Sequence, residues 1–136
     1  MTDYTRFKVR GYHLDHHGHL NNGAYTEFLD EARWELFENY NAGEFFSKLD
    51  LVLTLVNFNI NYRNPCGLGD SVEIHTKVMS IGTTSCKIEQ TMYVEGSGKV
   101  IADASSTFAL VDKASNKAMA IEGATRDKLD KLANAL

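Results

Sequence analysis

The sequence predicts an α+β fold, an antiparallel sheet of about five strands wrapped around one long helix. Three observations predict it. One stretch, from Gly23 to about Tyr40, carries its apolar residues at helical spacing. Later stretches between Val56 and Val111 alternate apolar and polar residues with period two. The turns between those stretches are too short for crossovers, so neighbouring strands run antiparallel, as a meander. With 136 residues, the whole of 1–136 is read as a single domain around one core.

Thr5 to Tyr12 is read as a first strand. His13 to Asn22 is too polar and irregular for a strand, and its glycine and asparagines suit a loop that ends in a helix cap. In the helix, Tyr25, Phe28, Leu29, Ala32 and Leu36 share one side, and Glu27, Glu31, Glu35 and Glu38 the other. Asn21 or Asn22 is its N-cap, and Gly43 follows its end. A loop runs through Lys48. Val56, Phe58, Ile60 and Tyr62 then alternate with Asn57, Asn59, Asn61 and Arg63 as a half-buried strand. Val72 to Met79, Cys86 to Val94 and Val100 to Val111 supply three more strands, joined through Asn64–Asp70, Gly82–Thr84 and a hairpin at Glu95–Lys99. Ala124 to Leu132 reads as a short terminal helix. One helix covers one face of such a sheet, and its edge strands keep unpaired backbone groups. At least a homodimer, joined edge to edge, is expected, with a dimer of dimers as the next possibility.

Composition narrows the function. Hydrophobic residues at 43% and charged residues at 24% are ordinary globular values, which argues against a disordered or fibrous chain. A net charge of −4, from 14 basic and 18 acidic residues, gives no basic field for nucleic acid. No apolar run has the length of a signal peptide or membrane span, so no membrane association and a cytoplasmic location are expected. Cys66 and Cys86 are too few and too far apart for a disulfide framework and are read as reduced packing residues.

Reactive side chains crowd between His13 and Asn22, where the first strand meets the helix. The first turn of a helix leaves N–H groups without intrahelical partners and carries about half a positive charge. A carbonyl placed there is polarised, and an oxyanion formed from it is stabilised. Asp15 lies several residues earlier, able to face the same spot as nucleophile or as general base, and the sequence leaves both open. Its plainer reading is a carboxylate that accepts turn N–H bonds. His13, Asp15, His16, His17 and His19 have ligand chemistry, but their spacing fits no zinc arrangement and His75 stands alone, so no metal is assigned. No glycine-rich phosphate loop or other cofactor signature is present.

The run Asp15-His16-His17-Gly18-His19-Leu20-Asn21-Asn22-Gly23-Ala24-Tyr25, followed by Phe28, Glu31, Ala32 and Arg33, resembles the D-x-x-G-H-[LV]-N-N-x-x-Y signature of hot-dog-fold acyl-CoA thioesterases related to 4-hydroxybenzoyl-CoA thioesterase. Asn61-Tyr62-Arg63-Asn64-Pro65 with Gly69-Asp70 resembles that family's Y-x-x-P…G-D element. The resemblance implies thioester hydrolysis with Asp15 as the catalytic carboxylate and Asn21, Asn22 and Gly23 lining the oxyanion site. The substrate would be an acyl-CoA or an acyl carrier protein thioester, with no cofactor. The family often has a second aspartate where this chain has His13, and one subgroup has histidine where this chain has Asn22, so neither of those mechanisms transfers. His19 is read as shaping the loop and reaching substrate, and Tyr25 and Phe28 as core residues that also wall an acyl pocket. Arg63, Lys77, Lys87 and Arg126 are candidates for the CoA phosphates, and Glu31 and Arg33 are read as a solvated or interface ion pair, with a catalytic role as the alternative. Two other readings stand beside the hydrolase. A hot-dog hydratase would want a histidine within the helix, which has none; a non-catalytic acyl-thioester carrier is distinguished by binding without thiol release.

Overall fold

The computed structural model describes residues 4–134. In chain order it has β1 (Tyr4–Lys8), a 3-10 turn (Gly11–His13), α1 (Asn22–Asn39), α2 (Ala42–Lys48), β2 (Leu51–Tyr62), β3 (Ser71–Ile81), β4 (Ser85–Val94), β5 (Lys99–Asp112), β6 (Lys117–Ala118) and α3 (Gly123–Asn134). The strands form one antiparallel sheet in the order β1-β3-β4-β5-β2, with the short β6 beside the end of β5. Only β3, β4 and β5 form a meander. The chain leaves β2 at one edge and returns as β3 near the other, because β2 pairs with β5 from Leu51↔Asp112 to Tyr62↔Ala102.

α1 lies along the concave face with the five apolar residues of its inner stripe buried, Leu29 and Leu36 to 1% exposure or less. Burial of side chains this size stabilises by about 1.5–3 kcal/mol each. One core cluster surrounds the first half of α1, bringing Phe28 and Leu29 to Val72, Ile74 and Met92. A second surrounds Leu36, Phe46, Val78, Leu110 and the apolar side of α3. Among the strands, β3 and β1 come nearest to α1, so the helix leans toward that side of the sheet.

The region between Asn41 and Lys48 corrects the sequence expectation of a loop. Asn41 takes a left-handed conformation (φ 53°), which reverses the chain after α1, and residues 42–48 form α2. Asparagine is among the few residues that adopt this shape at small cost, so the break and the restart fit inside three residues. β2 also departs from expectation. Its pairing skips Val56, between Leu55↔Phe108 and Asn57↔Thr107. The bulge puts Leu51 and Leu53 in phase with the inward side before it, and Phe58 and Ile60 after it. Val56 is 59% exposed and Tyr62 49%, so this strand is barely covered within one chain. Cys66 and Cys86 are free and buried, and burial pushes each thiol up to about 11. Among the described residues no helix is long and apolar enough to cross a membrane.

Candidate active site

The site begins with a tight hairpin ahead of α1. Leu14 and Leu20 form an antiparallel bridge, Asp15 N–H donates to the His19 carbonyl at 2.8 Å, and Gly18 N–H donates back to the Asp15 carbonyl at 3.1 Å. Gly18 has φ 76°, a left-handed conformation that glycine adopts without a Cβ penalty, and it turns the chain here. The Asp15 side chain closes the turn from within: Oδ1 accepts the N–H of His17 at 2.9 Å and of His19 at 3.1 Å. Oδ2 makes no hydrogen bond among the described residues. The His19 N–H bond lowers the Asp15 pKa most, helped by the His17 N–H and the imidazoles of His17 and His16 and opposed by partial desolvation. The carboxylate is therefore ionised at neutral pH. His13, Asp15, His16, His17 and His19 form no three-ligand metal group among the described residues.

Asn21 ties this hairpin to the helix. Its Oδ1 caps α1 by accepting the Ala24 N–H at 2.8 Å, and its Nδ2 donates to the His13 carbonyl at 2.9 Å. The cap satisfies the third N–H of the helix and leaves the first two, on Asn22 and Gly23, with no hydrogen bond among the described residues. Both residues are exposed, so a short strip of positively polarised backbone is left open at the tip that Asn21 ties to the Asp15 hairpin. An ionised carboxylate and an open helix tip are thus held in one hairpin–helix unit, and open helix-tip N–H groups can stabilise developing negative charge.

The profile of the thioesterase-like superfamily matches residues 9–129. The chain belongs to this superfamily. It is 41% identical over 128 residues to the long-chain acyl-CoA thioesterase FadM of Escherichia coli, covering 94% of this chain and 97% of that protein. The crystal structure of YbaW, a probable thioesterase from Escherichia coli, superposes with a TM-score of 0.91 at 40% identity and covers 96% of this chain and 98% of that one. A 1,4-dihydroxy-2-naphthoyl-CoA thioesterase from Synechocystis shares the fold, with a TM-score of 0.84 at 14% identity over 100% of this chain and 98% of that one. The curled antiparallel sheet around α1 is thus the hot-dog fold.

Other residues of this superfamily member fall into two groups. Tyr25 and Phe28 are buried just inside the helix tip: the Phe28 ring stacks on Phe7 at 4.6 Å, and Tyr25 meets the edge of Tyr62 at 5.0 Å. The Tyr25 hydroxyl donates to the Asn64 carbonyl at 3.4 Å, and burial, with Cys66, Tyr62 and Asp15 nearby, pushes it up to about 12. It therefore stays a proton donor. The basic candidates are more committed. Arg63 pairs with Asp103 at 2.7 Å, and Arg126 donates to the carbonyls of Ile81 and Gly82. Lys77 and Lys87 stand exposed on neighbouring strands.

Arg33 corrects the sequence reading of a solvated ion pair with Glu31. It is buried, with Nη1 donating to Gln90 Oε1 at 3.0 Å and Ser106 Oγ at 3.3 Å, and Nη2 to Asp30 at 3.3 Å. Its guanidinium packs against the rings of Phe58 and Phe108, and Gln90 in turn donates to the Leu29 carbonyl and Thr76. Glu31 is exposed. The period-two pattern of β4 counted only its apolar residues, so the buried Gln90 between Ile88 and Met92 went unseen, although its even position carried the signal.

Two cavities adjoin along the β2 side of α1, of about 370 and 380 Å³, and both are lined by Asp30 and Arg33. Neither is lined by Asp15, Asn21, Asn22 or Gly23 within one chain. The stretch from Gly43 to Leu51, on whose geometry pocket depth is expected to depend, supplies part of these walls; for the rest Trp34, a large apolar side chain among the helix glutamates, was the available signal.

Proposed function

We propose that this protein is an acyl-CoA thioesterase: water is added across the thioester, giving a free acid and the CoA thiol. Asp15 is the catalytic carboxylate, and the N–H groups of Asn22 and Gly23 hold the oxyanion. The observation that carries the reading is the cap of Asn21 on Ala24, which leaves those two N–H groups open at the helix tip that the same side chain ties to the hairpin of an ionised Asp15. Membership of the superfamily and the likeness to FadM support the same reaction and support CoA as the carrier. As nucleophile, Asp15 would attack the carbonyl, expel the thiolate, and leave a mixed anhydride that water cleaves. As general base it would take a proton from the attacking water instead. Both routes need the carboxylate ionised, which its lowered pKa supports. His19 holds the turn through its backbone, and Tyr25 and Phe28 wall the entry.

The working unit is a homodimer joined through β2. The exposed Leu55 and Val56, together with the unpaired edge of a twelve-residue strand, support this. A second copy paired there would cover the groove and complete a site that is open within one chain. Two free buried cysteines suit a reducing, cytoplasmic location. The test is thiol release from a panel of acyl-CoAs by wild type and Asp15→Asn. Turnover should fall by at least about a hundredfold, as for loss of a principal catalytic group, while the protein stays folded. Full turnover by Asp15→Asn would reject the assignment, and ligand binding without thiol release from wild type would favour an acyl carrier instead.

A further inference from the structure

Resting on the thioesterase reading, we infer that Asp70 is a positioning residue for the catalytic carboxylate, holding the Asp15 hairpin from the sheet side through Gly67 and His19. His19 grips Asp15 with both of its backbone groups: its carbonyl accepts the Asp15 N–H at 2.8 Å, and its N–H donates to Asp15 Oδ1 at 3.1 Å. Where His19 sits therefore decides where that carboxylate points. Asn21 fixes the hairpin at its base, at the carbonyl of His13. Farther out, His19 pairs antiparallel with Gly67, and the next residue, Leu20, donates its N–H to the Cys66 carbonyl at 2.8 Å. The hairpin thus leans on the chain that connects β2 to β3.

Asp70 makes that connection a firm support. Its Oδ2 accepts the Gly67 N–H at 2.9 Å while its own N–H donates to the Gly67 carbonyl at 3.1 Å, so both backbone groups of Gly67 are bound by one residue. Asp70 is in turn anchored to the sheet: its carbonyl accepts the N–H of the buried Val9 at 2.9 Å, and Ser71 after it opens β3. Packing supplies little of this order, since Leu68 is 69% exposed and Gly69 takes φ 84° in the turn. A side-chain oxygen that accepts a backbone N–H three residues back closes such a turn without burial. Gly67 also lets the two segments meet. A Cβ built on it would stand 3.2 Å from the Gly18 carbonyl oxygen, tighter than ordinary contact. The path from the sheet to the reacting carboxylate runs Asp70, Gly67, His19, Asp15, and each link is a hydrogen bond or a strand pairing.

The experiment compares wild type with Asp70→Ala and Asp70→Asn in two measurements: thiol release from the acyl-CoA that wild type cleaves fastest, and hydrogen exchange of the His19 amide by NMR. In Asp70→Ala, kcat should fall by at least about tenfold, the scale of a displaced reacting group, with KM unchanged because the loss falls on the transition state. Exchange of the His19 amide should speed up by about fivefold, the factor for one net hydrogen bond. Asp70→Asn keeps an acceptor oxygen for Gly67 and should restore both values to near wild type. If Asp70→Ala does not fold, Gly67→Ala gives a second handle: it keeps the Asp70 acceptor, pushes on the Gly18 carbonyl and should lower kcat with KM unchanged. Wild-type kcat in a folded Asp70→Ala or in Gly67→Ala, an Asp70→Asn as impaired as Asp70→Ala, or an unchanged His19 exchange rate overturns the role of Asp70 and leaves the hydrolase standing. Thiol release from no acyl-CoA by wild type removes the hydrolase reading and the positioning role with it.

Discussion

Asn21 makes two hydrogen bonds to one oxygen of His13: its backbone N–H reaches the carbonyl at 2.8 Å and its side-chain Nδ2 at 2.9 Å. The same side chain caps α1 through Oδ1. One residue thus fixes where the Asp15 turn sits relative to the helix tip and which N–H groups of that tip stay open. Serine in its place keeps a cap acceptor but lacks the donor to His13. Asn21→Ser should cost less than about 1 kcal/mol by urea unfolding, while Asn21→Ala should cost about 1 kcal/mol. Both should lower kcat by about tenfold or more, because misplacement of a reacting group by an ångström is costly. A serine variant with full kcat would show that the tie to His13 does not position the carboxylate.

Gly18 gives a second handle on the same turn. Its φ of 76° costs an alanine about 1–2 kcal/mol. Gly18→Ala should destabilise by that amount in chemical unfolding. It should also weaken thioester hydrolysis, since the turn aligns the His17 and His19 N–H groups on Asp15.

The pH profile separates Asp15 from its histidine neighbours. The turn N–H bonds lower the pKa of Asp15, so its charged form persists below the ordinary carboxylate value of about 3.9. The sign for stability follows. A depressed folded-state pKa stabilises the fold above the unfolded value, and that contribution is lost as pH falls through the folded-state pKa. Activity that depends on ionised Asp15 should show no acid limb between about pH 5 and 8, the range in which histidine titrates. An acid limb there that is retained in Asp15→Asn would assign the essential group to a histidine.

Arg33 tests the buried network under α1. Arg33→Leu leaves Gln90 Oε1 without its donor, and an unsatisfied buried acceptor costs about 1–3 kcal/mol. The double variant Arg33→Leu, Gln90→Leu should recover part of that loss, because removing both partners is cheaper than stranding one. A double-mutant cycle in urea measures the recovery; strictly additive losses would mean that the two side chains do not depend on each other.

The edge of β2 predicts the assembly. Val56→Lys places a charge on the exposed edge strand, a device that blocks edge pairing. Sedimentation should show a smaller species than wild type, with lower thiol release from acyl-CoA because the cavities along β2 lose their cover. An unchanged sedimentation coefficient would place the interface elsewhere.

Much of this architecture could be read from residue spacing. The inner stripe of α1, its Asn21 cap and the alternation of Val72, Ile74, Thr76 and Val78 depend on local periodicity, and all hold in the structure. The hairpin residues were also legible, since Asp15, Gly18 and Asn21 act within a few positions of one another. What periodicity could not reveal depends on distant partners. The displacement of β2 beside β5, the burial of Arg33 against Gln90 fifty-seven positions away and the lean of α1 that opens the groove are set by tertiary packing. α2 was hidden for another reason: Gly43 is a helix terminator by type, and only the left-handed Asn41 shows that the helix has already ended before it.

The unpaired Val56 also acts as a phase switch. Were the ladder to run straight through Val56 without the slip, Leu51 and Leu53 would swap sides with Val52 and Thr54, because alternation in a strand has a period of two. The floor beneath α2 would then be laid with a threonine and a valine turned in from solvent. One residue of slack in the outermost strand thus lets both halves of that strand stay greasy toward the interior, and a shortened relative lacking Val56 would keep the same five preceding positions on an unbulged ladder.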